Sequence, residues 1–169
     1  RQRMSEEFSA PENGALSFPS EQDTMAFGAT LAEVVKPGDV ITLKGALGAG
    51  KTTFARGFIQ RLAGIDEEVV SPTFTLVQTY ETQRGIIWHF DLYRLEVPDD
   101  VLELGLEDAQ AGGITLIEWP ERLGPYMPRA PLEIELTSAT GDTARSIRLS
   151  GKSNWRERAL EVVSRVRQP

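Results

Sequence analysis

Residues Gly45 to Thr52 read Gly-Ala-Leu-Gly-Ala-Gly-Lys-Thr, a G-x-x-x-x-G-K-T pattern whose chemistry is that of a polyphosphate cradle. Glycines let the backbone close around phosphate oxygens with successive N–H groups turned inward. The lysine reaches the β and γ phosphates, and the terminal hydroxyl is a Mg²⁺ ligand. A helix beginning at the loop adds unpaired N–H groups and a dipole that favours an anion.

Such a loop needs a second carboxylate for the metal, usually at the end of an apolar strand. Glu118 follows the run Ile114-Thr115-Leu116-Ile117 and occupies that place. It is one methylene longer than the usual aspartate. It can therefore bind the ion directly, hold it through water, or orient the attacking water; the bland alternative is a solvent-facing acid. Asp91 and His89 share a strand face, the first able to hold water or metal, the second to accept a proton or simply to serve the hairpin. Thr73, after Pro72, is either a γ-phosphate sensor in a switch or an ordinary turn residue. Arg84, Arg94 and Arg122 are each candidates for an arginine finger.

The elements around these residues follow from pattern. Val40-Ile41-Thr42-Leu43 is a short β-branched run after the turn Lys36-Pro37-Gly38-Asp39, so it predicts a strand leading into the loop. Phe54, Phe58, Ile59 and Leu62 recur at helical spacing until Gly64. Upstream, Ser20 with Asp23 three residues on predicts a capped helix to Val35, its apolar side Ala26 or Phe27, Leu31, Val34 and Val35. Downstream, an extended stretch from Ser71 to Val77 and the alternating run Ile86 to Tyr93 read as an antiparallel hairpin. Ile86, Trp88, Phe90 and Leu92 face one way there, and Ile87, His89, Asp91 and Tyr93 the other. Pro98 to Leu104 predicts a short acidic helix ending at Gly105, and Ile114–Ile117 a strand buried on both faces. Leu132–Leu136 and Ala144–Leu149 are strands about a turn at Gly141-Asp142. Ser153 or Asn154 caps a last helix to about Arg167, with Trp155, Leu160, Val163 and Val166 inward and Arg156, Arg158, Arg165 and Arg167 solvated. One α/β domain is expected, with residues 1–17 a mobile tail.

The chain has 169 residues, 40% hydrophobic and 25% charged, which suits one ordinary core. Its 18 basic and 25 acidic residues give a formal net charge of −7, a balance unsuited to gripping nucleic acid alone. The acids Glu96, Asp99, Asp100, Glu103, Glu107 and Asp108 form either a solvated face or a surface for a basic partner. No cysteine is present, which removes disulfides, thiolate metal sites and a cysteine nucleophile. No apolar run approaches a membrane span or a secretory signal. Arg1-Gln2-Arg3 precede Met4 and carry no part of the expected fold. A soluble cytoplasmic protein is the expectation.

Among phosphate-loop classes, a GTPase needs N-K-x-D and D-x-x-G segments, and neither is here, which points to ATP. A small-molecule kinase needs an arginine-rich lid, whereas the corresponding segment is acidic and hairpin-like. Four motifs in order and spacing then resemble the bacterial TsaE (YjeE-type) ATPase family. They are Gly45 to Thr53, Ser71-Pro72-Thr73-Phe74-Thr75-Leu76-Val77, His89-Phe90-Asp91-Leu92-Tyr93-Arg94 and Ile117-Glu118-Trp119-Pro120-Glu121. The resemblance covers roughly Phe18 to Met127. It implies a P-loop NTPase-like three-layer fold, with a mostly parallel central sheet and an antiparallel hairpin, spanning residues 18–169. It implies an ATPase needed for N6-threonylcarbamoyladenosine at position 37 of tRNAs that read codons beginning with A. Such a protein acts with a TsaD–TsaB complex, meets tRNA only through those partners, and is slow alone. Carried over, Gly48, Ala49, Gly50, Lys51, Thr52 and Thr53 hold the ATP phosphates, Thr52 and Glu118 hold Mg²⁺, and Lys51, Asp91 and Glu118 are catalytic. Ser71–Thr75 and His89–Arg94 become switch-like loops. Ser20 and Glu21 stand where the family contacts the nucleotide, although Ser20 replaces the acidic residue expected there. A nucleotide-dependent assembly factor without required hydrolysis and a small-molecule kinase remain as alternative classes.

Overall fold

Four parallel strands form the centre of the protein. They are β3 (Val40–Lys44), β5 (Gly85–Asp91), β6 (Ile114–Glu118) and β7 (Leu132–Ser138), in a computed structural model that describes residues 6–139 and 143–167. The turn at Gly141-Asp142, Arg1-Gln2-Arg3 and the Arg167 side chain lie outside the described residues. Hairpins flank this centre on both sides. β4 (Val77–Thr82) pairs antiparallel with β5, and β8 (Arg145–Lys152) pairs antiparallel with β7. With β1 (Glu7–Ala10) and β2 (Leu16–Phe18) added, the strand order is β1-β8-β7-β3-β6-β5-β4, with β2 also on β8. The β6 strand is buried throughout, as a parallel strand covered on both faces must be. The parallel centre and the β4–β5 hairpin match the three-layer expectation.

Two apolar cores sit on the two faces of the sheet. On one, Ile41, Leu43, Ile87, Leu116 and Ile134 meet α1 (Glu21–Ala32), α2 (Lys51–Ala63) and α4 (Ser153–Arg167). On the other, Phe90 and Ile117 meet Leu92, Leu95 and the residues of a 3-10 turn at Pro98–Leu104 and of α3 (Leu106–Gly112). Alternation along β5 sends Ile87, His89 and Asp91 to the α2 side and Trp88 and Phe90 to the other, as the period of two requires. Ser20 caps α1, its Oγ accepting from the Asp23 amide at 3.1 Å, a bond worth about 1 kcal/mol. The α1–α2 seam is closed by a row of rings: Phe27 lies 5.0 Å from Phe18 and 5.6 Å from Phe54 between ring centres. Burying each such ring contributes about 1.5–3 kcal/mol.

Several expectations need correction. The segment read as a mobile tail supplies two strands, β1 (Glu7–Ala10) and β2 (Leu16–Phe18), laid end to end along the outer edge of β8. Phe8, Ala10 and Leu16 are buried there, and the strands close an edge that would otherwise offer unpaired N–H and C=O groups. Residues 71–76 form a loop rather than a strand, and pairing begins at Val77. The 3-10 turn after Pro98 is followed by α3, which had no periodic signal in its seven residues. On α4, Leu160 faces solvent while Ala159 and Val162 are buried. Arg158 is not solvated: it grips Asp39 through both carboxylate oxygens at 2.6 and 3.2 Å and lies over the Trp155 ring.

The α1 and α2 backbones touch without intervening side chains. A Cβ added at Gly28 would fall 2.2 Å from the Phe54 carbonyl oxygen, and one at Gly57 would fall 2.0 Å from that of Met25. Gly57→Ala is therefore expected to lower stability by about 1–3 kcal/mol or more. Gly112→Ala, whose Cβ would meet nothing within 4 Å, should be neutral or slightly stabilising. Urea denaturation midpoints of the two variants and the parent check this.

Candidate functional site

The parallel ladders place the chemistry. Leu43 of β3 is registered opposite Glu118 of β6, and Glu118 opposite Asp91 of β5. All three strands end here at their carboxyl ends, where β3 separates β6 from β7 and an open α/β sheet forms its crevice. The loop Gly45–Gly50 crosses this end and delivers Lys51 as the first residue of α2. Gly50 holds a left-handed φ of 100°, a conformation an L side chain resists, and so turns the chain from loop into helix.

A cavity of about 330 Å³ opens between these parts. The loop contributes Leu47, Gly48 and Gly50, and α2 contributes Lys51, Thr52 and Thr53. Across from them stand Thr73, Asp91, Tyr93, Glu118 and Trp119, with Glu21 and Arg145 at the rim. The Thr52 hydroxyl lies 3.3 Å from each oxygen of Glu118, joining helix start to strand end. The Glu118 Oε2 is also 2.8 Å from His89 Nε2, both side chains being buried. Asp91 is buried too. Its Oδ1 accepts the Tyr93 amide at 3.1 Å and its Oδ2 the Thr73 hydroxyl at 3.3 Å, while Thr73 in turn meets Ser71 Oγ at 2.7 Å.

Lys51 Nζ donates to the carbonyls of Gly45 and Ala46 and lies 4.3 Å from the centre of the Trp119 ring. Trp119 takes a left-handed backbone, φ 61° and ψ 51°, directly after Glu118, and this bend aims its indole at the lysine. Burial lowers the Lys51 pKa from its ordinary value, against the raising pull of Glu118, Asp91 and Glu121. Burial raises that of Asp91, and the Glu118 charge adds to it; the Tyr93 amide, His89 and the Thr73 hydroxyl act the other way. A primary amine and a carboxyl, both shifted towards neutrality in one cleft, are a physical reason to take it as the candidate functional site.

Of the expected site residues, Gly48, Gly50, Lys51, Thr52, Thr53, Asp91 and Glu118 come together around the cavity. Two do not line it. Ala49 is buried, its amide donating to the Ala46 carbonyl at 3.1 Å. The Ser20 hydroxyl is committed to the α1 cap and to Asp23, leaving Glu21 as the residue of that helix start at the rim. Among the three candidate fingers, Arg84 bonds the carbonyls of Ala32, Glu33 and Val35 at the end of α1. Arg94 stands over the exposed Phe74 ring and Arg122 over Tyr93, and neither lines the cavity. The arginine that does is Arg145, whose Nη2 donates to the Gly48 carbonyl at 2.9 Å. It lies in β8, and nothing in its local sequence links it to the loop. The acidic residues from Glu96 to Asp108 are exposed, as a solvated face is.

A G-x-x-x-x-G-K-T loop between a central strand and a helix, with a carboxylate at the end of the neighbouring parallel strand, defines a P-loop nucleotide-binding fold. Sequence comparison narrows the class. The family described as "Threonylcarbamoyl adenosine biosynthesis protein TsaE" matches residues 18–147. The tRNA threonylcarbamoyladenosine biosynthesis protein TsaE of Rickettsia bellii (strain RML369-C) is 44% identical over 117 residues, which are 69% of this chain and 81% of that one. Its namesake in Bacillus subtilis (strain 168) is 40% identical over 145 residues, 85% and 89% of the two chains. The crystal structure of Bacillus subtilis YdiB superposes with a TM-score of 0.72 at 30% identity, covering 95% of each chain. This chain belongs to the TsaE family. No helix among the described residues is long and apolar enough to cross a membrane.

The raised Asp91 pKa fixes the sign of a stability effect. A carboxyl harder to ionise in the folded chain stabilises below its unfolded pKa, and that contribution is lost as pH rises through the folded one. Asp91→Asn, uncharged throughout, should be more stable than the parent at neutral pH, with the gain shrinking towards pH ~4. Chemical denaturation at the two pH values measures it.

Proposed function

We propose that this chain binds ATP with Mg²⁺ in the cavity, hydrolyses it, and so serves formation of threonylcarbamoyladenosine in tRNA together with a TsaD–TsaB complex. The observation that carries the reading is the Thr52–Glu118 contact of 3.3 Å at the start of α2, with Asp91 on the adjoining strand. A hydroxyl and a carboxylate are hard oxygen donors of the kind Mg²⁺ takes. Among the described residues no group of three His, Cys, Asp or Glu could cage a metal. Mg²⁺ is commonly held by one or two side chains and completed by substrate phosphates and water. When bound, Mg²⁺ supplies neutralisation of phosphate charge.

The chain's own groups divide the remaining work. Lys51, already desolvated, exchanges the loop carbonyls for phosphate oxygens. The inward amides and the α2 N-terminus hold the rest of the polyphosphate. Asp91, held on one side by Thr73 and the Tyr93 amide, is the group that takes a proton from water as its oxygen attacks the γ phosphorus and ADP leaves. The tRNA is met through partners, which agrees with a net charge of −7 and an exposed acidic face.

Asp91→Asn should lower phosphate release by about 100-fold or more while ATP binding survives. Phosphate release by the parent should be slow and should rise on adding TsaD–TsaB; fast turnover unchanged by the partners counts against the reading. If Asp91→Asn and Glu118→Gln support tRNA modification as well as the parent does, a nucleotide-dependent assembly role without hydrolysis replaces it.

A further inference from the structure

His89 has no task in the scheme above, yet it is the protein's single histidine and it is fully buried. Its Nε2 lies 2.8 Å from Glu118 Oε2, across the parallel ladder that joins β5 to β6. An ionised carboxylate only accepts hydrogen bonds, so Nε2 is the nitrogen that donates. The other nitrogen, Nδ1, has no hydrogen-bond partner among the described residues, so Glu118 is the ring's one hydrogen-bond partner there. Isolated buried polar rings are costly to keep, and a Leu or Phe at this sheet position would pack without that cost.

We propose that His89 is a positioning residue. Its Nε2–H fixes the Glu118 carboxylate so that it faces the Thr52 hydroxyl as a ready pair of oxygen donors. The inference rests on the reading of Thr52 and Glu118 as the Mg²⁺ site. A glutamate is a longer arm than an aspartate, with one more torsion to lose when it binds a cation. The Thr52 contacts, at 3.3 Å to both oxygens, do not choose between rotations of the carboxylate. The shorter His89 contact to Oε2 alone does, and it acts from the buried side, opposite the cavity. Outer partners of this kind set ligand orientation and commonly govern metal affinity by about 10-fold or more.

Three variants and two binding measurements test it. Affinity for ADP is measured in EDTA, and affinity of the protein–ADP complex for Mn²⁺ is measured from the free-ion paramagnetic resonance signal. His89→Leu should weaken Mn²⁺ binding by about 10-fold or more, with metal-free ADP binding unchanged. His89→Gln puts an amide donor close to the Nε2 position and should restore Mn²⁺ affinity. His89→Asn, equally polar but too short to reach Glu118, should not. Equal Mn²⁺ affinity in the parent, His89→Leu and His89→Asn overturns the proposal. So does a parallel loss of metal-free binding in all three variants, which signals a merely structural ring. If the parent's ADP complex fails to bind Mn²⁺ at all, the metal site itself is refuted and the positioning role falls with it.

Discussion

The register of the parallel ladder across β3, β6 and β5 is the constraint on which the rest depends. Leu43, Glu118 and Asp91 stand side by side at the carboxyl ends of three adjacent strands. Side chains alternate along a strand, so a slip of one residue in β6 would turn Glu118 into the opposite core and bring Ile117 to the phosphate loop. The register is protected by Glu118 itself, since the same slip would bury its carboxylate in an apolar core without Thr52 and His89. The placement of the candidate site and the packing of the core are thus one choice made by the same pairing.

Against that rigid frame the site itself carries unfavourable features. A buried lysine, two buried carboxylates and a buried histidine occupy one end of the sheet, and Trp119 keeps a left-handed backbone beside them. Each carboxylate is partly compensated by donors: Thr52 and His89 for Glu118, the Tyr93 amide and the Thr73 hydroxyl for Asp91. For Asp91 the compensation is incomplete, since burial still raises its pKa. Two apolar cores, one on each face, supply the surplus that holds these groups in place.

What the amino-acid sequence disclosed was whatever is written in short-range pattern. The loop, β3, β5, the α1 cap and the buried β6 run all follow from spacings of a few residues, whereas the hairpin partner of β5 was placed at Ser71–Val77 and lies at Val77–Thr82. Glu118 was singled out because it ends an apolar strand, and Asp91 because it shares a strand face with His89. The strands β1 and β2 were not, because four- and three-residue segments acquire meaning only from β8, at the far end of the chain. Arg145 escaped for the same reason: its neighbour Gly48 is distant in sequence, and alternation in β8 says only which residues face the core. Ser20 shows the converse case, where a cap signal and a ligand role were both read for one hydroxyl and the structure shows the cap.

The contact of Gly28 with Phe54 and of Gly57 with Met25 has a mechanical consequence. Side-chain layers between helices act as bearings, allowing small sliding by change of rotamer. At these two glycines backbone rests on backbone, and that bearing is missing there. The start of α1 borders the cavity at Glu21, and the start of α2 borders it at Lys51. The two helix starts are therefore coupled through backbone contact, so a tilt of α2 carries Glu21 with it.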